Sequence, residues 1–440
     1  MTKHLSPKTA GQSASISSLS HEGRGIATIN NKTTFIEGAL PNEQVLFTYT
    51  KKHSKFDEGI VSEIISASPD RVTPLCPHFS ICGGCNLQHI HSDQQILFKQ
   101  NVLLEQLKHF GNLVPEQIMT PLTGPAWGYR HKARLSVKYV DKKNALLIGF
   151  HEKNGRYVAD LSCCPILHPS VGQLIEPLKK LLMQLSIYRH IAQIEMAIAD
   201  NFSALIFRHL TAMPDQDKNH LIQFAQQYHF HIYLQPNTPL PLSCLWPDNN
   251  QPFLNYVLPD HQLTLEFKPT DFTQINPTIN QKMINTALQL LDLQQDDCVL
   301  DLFCGIGNFT LPIAKYCHSV VGVEGALSSV ERATHNAQKN GITNTQFHVA
   351  NLVDVNMAAS WVKQKYHKIL LDPPRTGALE IIKLFSKWQP QKIIYVSCNP
   401  ATLARDAGEL AKQGYRLVKA GVMDMFPHTK HVESIALFER

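Results

Sequence analysis

The run Asp301-Leu-Phe-Cys-Gly-Ile-Gly-Asn-Phe-Thr310 closes an apolar segment, Cys298–Phe303, with the composition of a buried strand. Gly305 and Gly307 let the backbone turn tightly and come close to a ligand just ahead of a helix N-terminus. The spacing is not G-x-G-x-x-G, and Phe303 stands where a third glycine would be wanted, which weakens a dinucleotide reading. Glu324 ends the next apolar segment, 17 residues after Gly307, placed to accept hydrogen bonds from ribose hydroxyls. Asn351 ends the one after that and can meet an adenine edge. Three successive strand ends with suitable groups point to a nucleoside-type cofactor in the crevice at the carboxyl ends of the strands. The bland alternative is a Gly-rich turn with a surface Glu and a turn Asn.

Outward from this run, apolar segments (Cys298–Phe303, Ser319–Val323, Thr345–Val349, Lys368–Leu371, Lys392–Ser397) alternate with helical segments of 10 to 15 residues. Such alternation predicts α/β architecture with a parallel doubly wound sheet over residues 266–440. Tyr415–Met423 and Val432–Phe438 have no helix between them and predict a terminal hairpin. Upstream, residues 10–70 hold five short strand-like runs (Ser15–Leu19, Gly25–Ile29, Thr34–Ile36, Gln44–Tyr49, Gly59–Ile65) that suit a small oligonucleotide-binding-type barrel. Residues 71–265 read as a mixed central domain. It holds a helix from about Ser92 to Phe110, packed on the C-terminal domain, strands near Ala133–Val140 and Ala145–His151, and a helix over Ser170–Leu185.

Two further strand ends carry reactive groups. Leu370-Leu-Asp-Pro-Pro-Arg375 follows the fourth strand, and Val396-Ser-Cys-Asn-Pro400 the fifth. Proline straight after a strand stops the ladder and fixes a loop, so Asp372 and Cys398 project into the same crevice. A cysteine in a polar loop beyond a strand is better explained as a nucleophile than as packing. Glu433, in His431-Val-Glu-Ser434 on the last strand, is either a proton-abstracting base near the crevice or one carboxylate on a solvated strand face.

The 440 residues carry a net charge of +5, with 43% hydrophobic and 18% charged residues, a globular balance that permits an RNA partner without demonstrating one. No apolar run of 18 residues appears, and Met1–Ser20 is polar and Ser-rich without the core of a secretory signal. No membrane partner and a cytoplasmic location are therefore expected, and a monomer. Ten cysteines in a reducing compartment point away from disulfides. Cys244, Cys298 and Cys317 sit alone in apolar segments and read as core packing. Cys76-x5-Cys82-x2-Cys85 is a tight ligand loop turned by Gly83-Gly84, with a fourth thiolate available from Cys163-Cys164. Four cysteines suit zinc or an iron–sulfur cluster, and spacing does not choose between them. Basic residues cluster at Arg130, Lys132, Arg134, Lys138, Lys142 and Lys143, interleaved with Tyr129 and Tyr139, and again at Lys51-Lys52-His53-Ser54-Lys55. Each is a solvated face or an RNA contact.

These motifs, with His21-Glu-Gly-Arg-Gly25, Tyr129-Arg-His-Lys132 and Phe272-Thr-Gln-Ile-Asn276, resemble the RNA uracil-5-methyltransferases, most closely the 23S ribosomal RNA branch with a TRAM barrel and an iron–sulfur cluster. The resemblance spans nearly the whole chain. It implies a class I, Rossmann-like methyltransferase domain, an N-terminal TRAM barrel and S-adenosyl-L-methionine as methyl donor, bound by Gln274, Phe303, Asn308, Glu324, Asn351 and Asp372. It further implies Cys398 as nucleophile, Glu433 as base, and a [4Fe–4S] cluster on Cys76, Cys82, Cys85 and Cys164, with zinc disfavoured. Doubling of the cysteine keeps Cys163 open as the fourth ligand. The implied product is 5-methyluridine in 23S ribosomal RNA. The same chemistry on tRNA or another ribosomal site, and a non-catalytic RNA-binding or chaperone protein, are the competing readings.

Overall fold

The computed structural model describes residues 11–153, 155–237, 241–248 and 253–440. Its largest sheet has eight strands in the order Thr345–Val349, Ser319–Glu324, Cys298–Leu302, Lys368–Leu371, Lys392–Ser397, Glu433–Glu439, Arg416–Met423 and Gln117–Ile118. The first five are mutually parallel. Four of them read as nearly continuous apolar runs because helices cover both faces; Ile369, Leu370, Ile393 and Ile394 are fully buried. The chain builds outward from Cys298–Leu302 in one direction, then restarts beside it with Lys368–Leu371. That reversal opens a crevice between the two strands at their carboxyl ends.

Glu433–Glu439 runs antiparallel to Lys392–Ser397 and forms the expected terminal hairpin with Arg416–Met423. The edge strand Gln117–Ile118, beyond it, was not foreseen from the sequence. Helices differ from expectation. Leu327–Lys339 and Pro400–Lys412 have the predicted length, but Thr310–Ala314, Ser360–Lys363, Leu379–Ile382 and Phe385–Trp388 are about one turn each. Pro312 sits inside the first of these, and Pro373, Pro374 and Gly377 hold the approach to the third in a loop.

The N-terminal sheet has six strands rather than five, in the order Gln12–Ser15, Gln44–Lys52, Phe56–Ser66, Lys32–Glu37, Gly25–Ile29 and Ser18–Leu19. The predicted first strand is split. Ile16 N–H bonds to the Glu43 carbonyl and Ser17 N–H to the Ile26 carbonyl, so two residues carry the chain from one end of the sheet to the other. The sheet thus curls into a barrel around Ala14, Ile36, Val45 and Phe47. Residue 10, where this unit was expected to begin, lies outside the described residues, as does the start of the Met1–Ser20 segment.

A second six-stranded sheet (Ser243–Trp246, Phe230–Pro236, Ser203–His209, Ile191–Ile198, Lys132–Val140, Ala145–Gly149) forms the middle of the chain. The helix expected over Ser170–Leu185 breaks into Pro169–Gly172 and Ile175–Gln184. Pro177 has no N–H to continue the ladder, so it opens a new helix instead. Helix Ser92–Gln106, extended by a π turn over Leu107–Gly111, packs on the C-terminal sheet through Ile96, Val102, Leu103 and Leu107. Cys317 is buried as expected, while Cys244 and Cys298 are half-buried. Among the described residues, no helix is long and apolar enough to cross a membrane.

Candidate active site

Strand register brings the two predicted reactive groups together. Ser397 pairs with Ser434 across the antiparallel strands. Cys398 follows Ser397 and Glu433 precedes Ser434, so both lie at the end of this ladder, near enough for Glu433 to act on the Cys398 thiol. The Cys398 loop is fixed from within. Ser397 Oγ accepts from Asn399 N–H at 3.1 Å, and Asn399 Oδ1 caps helix Pro400–Lys412 through Ala401 N–H at 3.2 Å. Asn399 Nδ2 donates to the Arg375 carbonyl at 2.9 Å, joining this loop to Asp372-Pro-Pro-Arg375. Tyr395 Oη and the Ala378 N–H both donate to Asp406 Oδ2, anchoring the far end of that second loop.

These groups act on one another electrostatically. Burial pushes the Cys398 thiol up to about 11, reinforced by Glu433 and Asp372 and opposed by Arg375. Burial lifts the Asp372 carboxyl to about 7. Glu433, 4% exposed, is raised well above the ordinary carboxylate range by burial and by Asp372, again against Arg375. A cavity of about 460 Å³ opens onto Cys398, Arg375 and His431 and reaches His21 and Glu22 of the barrel and Phe110 of the π turn. Glu22 closes one side through an ion pair with Lys430 at 3.3 Å.

The cofactor candidates gather at the other strand ends. Phe303 adopts a left-handed backbone, φ +64°, immediately after the first strand, and Gly307 follows at φ +93°. A bulky residue held at positive φ is strained, a condition that concentrates at ligand sites. Glu324 accepts from Gly305 N–H at 3.2 Å and from Gly325 N–H at 2.7 Å, which locks the Gly-rich turn to the second strand. Asn351 is exposed, and its Oδ1 accepts from Val353 N–H at 3.0 Å. Asn308 is held by groups the sequence did not single out. Its Oδ1 accepts from Tyr256 Oη at 2.8 Å and Asn280 Nδ2 at 3.0 Å, and its Nδ2 donates to Asn280 Oδ1 at 2.8 Å. Gln274 lines a cavity beside Tyr256 and Asn280. Asp301 is fully buried, its carboxyl lifted to about 7 by desolvation, and its Oδ1 has no hydrogen-bond partner among the described residues.

Cys76, Cys82, Cys85, Cys163 and Cys164 line one small cavity with Phe79, Phe150 and Leu161. Burial raises the thiols of Cys85, to about 11, and Cys164, to about 12; each is raised further by neighbouring thiols, with Cys164 facing Cys85 and Cys82. Cys163 instead adds to the shift of Cys76. Gly172 makes the Cys164 turn possible, because a Cβ there would stand 2.4 Å from the Cys164 carbonyl oxygen. Among the described residues, no group of three or more His, Cys, Asp or Glu side chains is arranged to hold a metal ion. Of the basic residues, Arg134 and Lys138 are exposed on one face of strand Lys132–Val140, with Lys142 and Lys143 beyond it; Arg134 pairs with Glu195 at 3.1 Å. Lys132 is drawn inward to the Asp271 carbonyl. Lys51, Lys52 and Lys55 are exposed on the barrel.

A family model described as tRNA (Uracil-5-)-methyltransferase matches residues 92–440. The 23S rRNA (uracil(1939)-C(5))-methyltransferase RlmD of Legionella pneumophila (strain Lens) is 50% identical over 431 residues, covering 98% of this chain and 97% of that protein. The protein of the same name from Alcanivorax borkumensis is 52% identical over 427 residues, covering 97% and 96%. Among solved structures, Pyrococcus abyssi tRNA (uracil-54, C5)-methyltransferase in complex with S-adenosyl-L-homocysteine superposes with a TM-score of 0.74 at 22% identity, over 97% of this chain and 100% of that one, a likeness of fold. The chain belongs to the uracil-5-methyltransferase family.

Proposed function

We propose that this protein methylates C5 of a uridine in 23S ribosomal RNA, with Cys398 as nucleophile and Glu433 as base. Uracil C5 is too weak a nucleophile to take a methyl group unaided. Addition of the Cys398 thiolate at C6 breaks the C5–C6 double bond and leaves C5 with enolate character. S-adenosyl-L-methionine, when bound, supplies an electrophilic methyl to that carbon. Glu433 then takes the C5 proton, the electron pair re-forms the C5–C6 double bond, and the Cys398 thiolate leaves. The nearness of Cys398 and Glu433, which flank the paired Ser397 and Ser434, supports this reading, because one uracil must be reached by both groups within a single turnover. Gln274, Phe303, Asn308, Glu324, Asn351 and Asp372 are the proposed donor contacts. The choice of ribosomal RNA follows the names of the full-length relatives.

Cys76, Cys82, Cys85 and Cys164 are the proposed ligands of a [4Fe–4S] cluster, supported by an all-thiol donor set around an apolar cavity. The exposed lysines of the barrel and of the Lys138–Lys143 segment are proposed RNA contacts. The domain division is 10–70 for the barrel, 71–265 for the central unit and 266–440 for the methyltransferase unit.

The test is incubation with S-adenosyl-L-methionine and 5-fluorouridine-substituted 23S RNA. Fluorine at C5 cannot leave as a proton, so a denaturation-resistant protein–RNA adduct is expected, and it disappears in Cys398→Ala. Cofactor binding without an adduct on intact 23S RNA, but with one on tRNA, would move the substrate to tRNA. Absence on both would remove Cys398 as nucleophile.

A further inference from the structure

Lys99 is fully buried in the middle of helix Ser92–Gln106, with its charge inside the protein. Its Nζ donates to Asp424 Oδ1 at 2.7 Å and to the Phe426 carbonyl at 2.9 Å. Asp424 is the first residue beyond strand Arg416–Met423, and Met423 is the cross-strand partner of Glu433. The ion pair therefore grips the hairpin loop at the stem that carries the proposed base. The rest of that loop is held by neighbouring groups. Gln95 Oε1 accepts from His428 N–H at 2.8 Å, and Asn86 and Leu87 N–H both donate to the His428 carbonyl at 2.9 Å. Tyr129 Oη donates to the Pro427 carbonyl at 3.1 Å, and Trp127 stacks on His428 with centroids 3.9 Å apart. Among the described residues, none of these hydrogen bonds or ring contacts reaches the Cys398 loop, which is fixed by Ser397, Asn399 and the Arg375 carbonyl, although the π turn packs on the helix that follows it.

We propose that Lys99 and Asp424 are positioning residues that set Glu433 for removal of the C5 proton, independently of the nucleophile. A charge pair sealed from solvent is directional and resists drift. It ties helix Ser92–Gln106, which belongs to no strand of the large sheet, to the loop end next to the base. The inference rests on the proposed assignment of Glu433 and Cys398. Its consequence is separable: loosening the pair should spare thiolate addition and slow only the elimination that depends on Glu433.

The experiment uses Lys99→Gln, Asp424→Asn and the paired variant Lys99→Gln/Asp424→Asn, the last leaving no unpaired charge in the interior if a single variant folds poorly. Each is assayed with ordinary, non-fluorinated 23S RNA for turnover, for covalent adduct on a denaturing gel, and for S-adenosyl-L-homocysteine affinity. Misplacing a reacting group by about 1 Å costs roughly 10²-fold. The expected result is a kcat loss of that order, cofactor affinity within about twofold of wild type, and an adduct that accumulates on ordinary RNA. Wild-type turnover in the paired variant would overturn the proposal. So would loss of adduct and turnover together, which is the signature of a structural role. Glu433→Gln is the control. If it accumulates adduct and the clamp variants do not, the clamp inference alone fails; if it does not, the base assignment fails and takes the inference with it.

Discussion

Two sets of cysteines in this protein have thiols raised by burial to similar values, yet their surroundings differ in kind. Cys85 and Cys164 lie among other thiols, with Phe79, Phe150 and Leu161 completing the wall. Cys398 lies among two carboxylates and a guanidinium, at the mouth of a cavity large enough for a nucleotide. A group of thiols that all resist ionisation is relieved by a shared cation, which stabilises every thiolate at once. A single thiol beside carboxyl groups is relieved by moving a proton. The contrast teaches that a raised thiol pKa does not say what a cysteine is for; its nearest ionisable neighbours do.

The comparison breaks most visibly at the proposed nucleophile. Cys398→Ala is expected to lower turnover on the order of 10⁴-fold or more, while iron uptake measured on the anaerobically reconstituted protein stays at the wild-type level. Loss of iron in that variant would mean the two cysteine sites are not independent. Next in size, Glu433→Gln should reduce turnover by roughly 10² to 10⁴-fold, with adduct retained on a denaturing gel. On the other side of the comparison, the proposed [4Fe–4S] assignment predicts about four iron atoms per chain in the reconstituted protein and only a small fraction of that in Cys85→Ser, read by visible absorbance and iron analysis. Alkylation of Cys398 in that variant should keep its wild-type pH dependence, and a changed profile would show that the Cys85 site acts on Cys398.

A subtler effect concerns pH. With its thiol near 11, Cys398 is almost wholly protonated at neutral pH, so its alkylation rate should rise about tenfold per pH unit until the thiol titrates. Arg375 holds that value down, so Arg375→Met raises it and moves the profile to higher pH. A shift to lower pH would place Arg375 outside the field of the thiol. The smallest effect is expected from Lys142→Gln and Lys143→Gln, which should reduce the salt dependence of RNA binding by about one counterion each and leave kcat at saturating RNA unchanged.

Much of this was readable from the chain because each reactive group sits at a strand end within a short local run. Asp372-Pro-Pro-Arg375 and Ser397-Cys-Asn-Pro400 encode both the loop and its cargo, and alternating apolar segments encode the sheet that aligns them. Legibility failed where a feature depends on distant partners. Lys99 and Asp424 are 325 residues apart, and a lone lysine in a mixed helix carries no local sign that it will be buried. Tyr256 and Asn280, which hold Asn308, are similarly remote. Two of the short helices, Thr310–Ala314 and Leu379–Ile382, escape the sequence pattern because prolines within or before them act on a backbone whose apolar pattern still looks helical. Splitting of the first barrel strand is hidden for another reason: Ile16 and Ser17 keep strand-like composition while their N–H groups serve two different neighbours.

That short crossing has a wider consequence. A sheet that ends in mid-air offers a row of unused backbone donors and acceptors, onto which another polypeptide can add as an extra strand. Here the two terminal strands are consecutive in the chain and curl toward each other. Closing the sheet in this way leaves fewer of those groups open to an added strand.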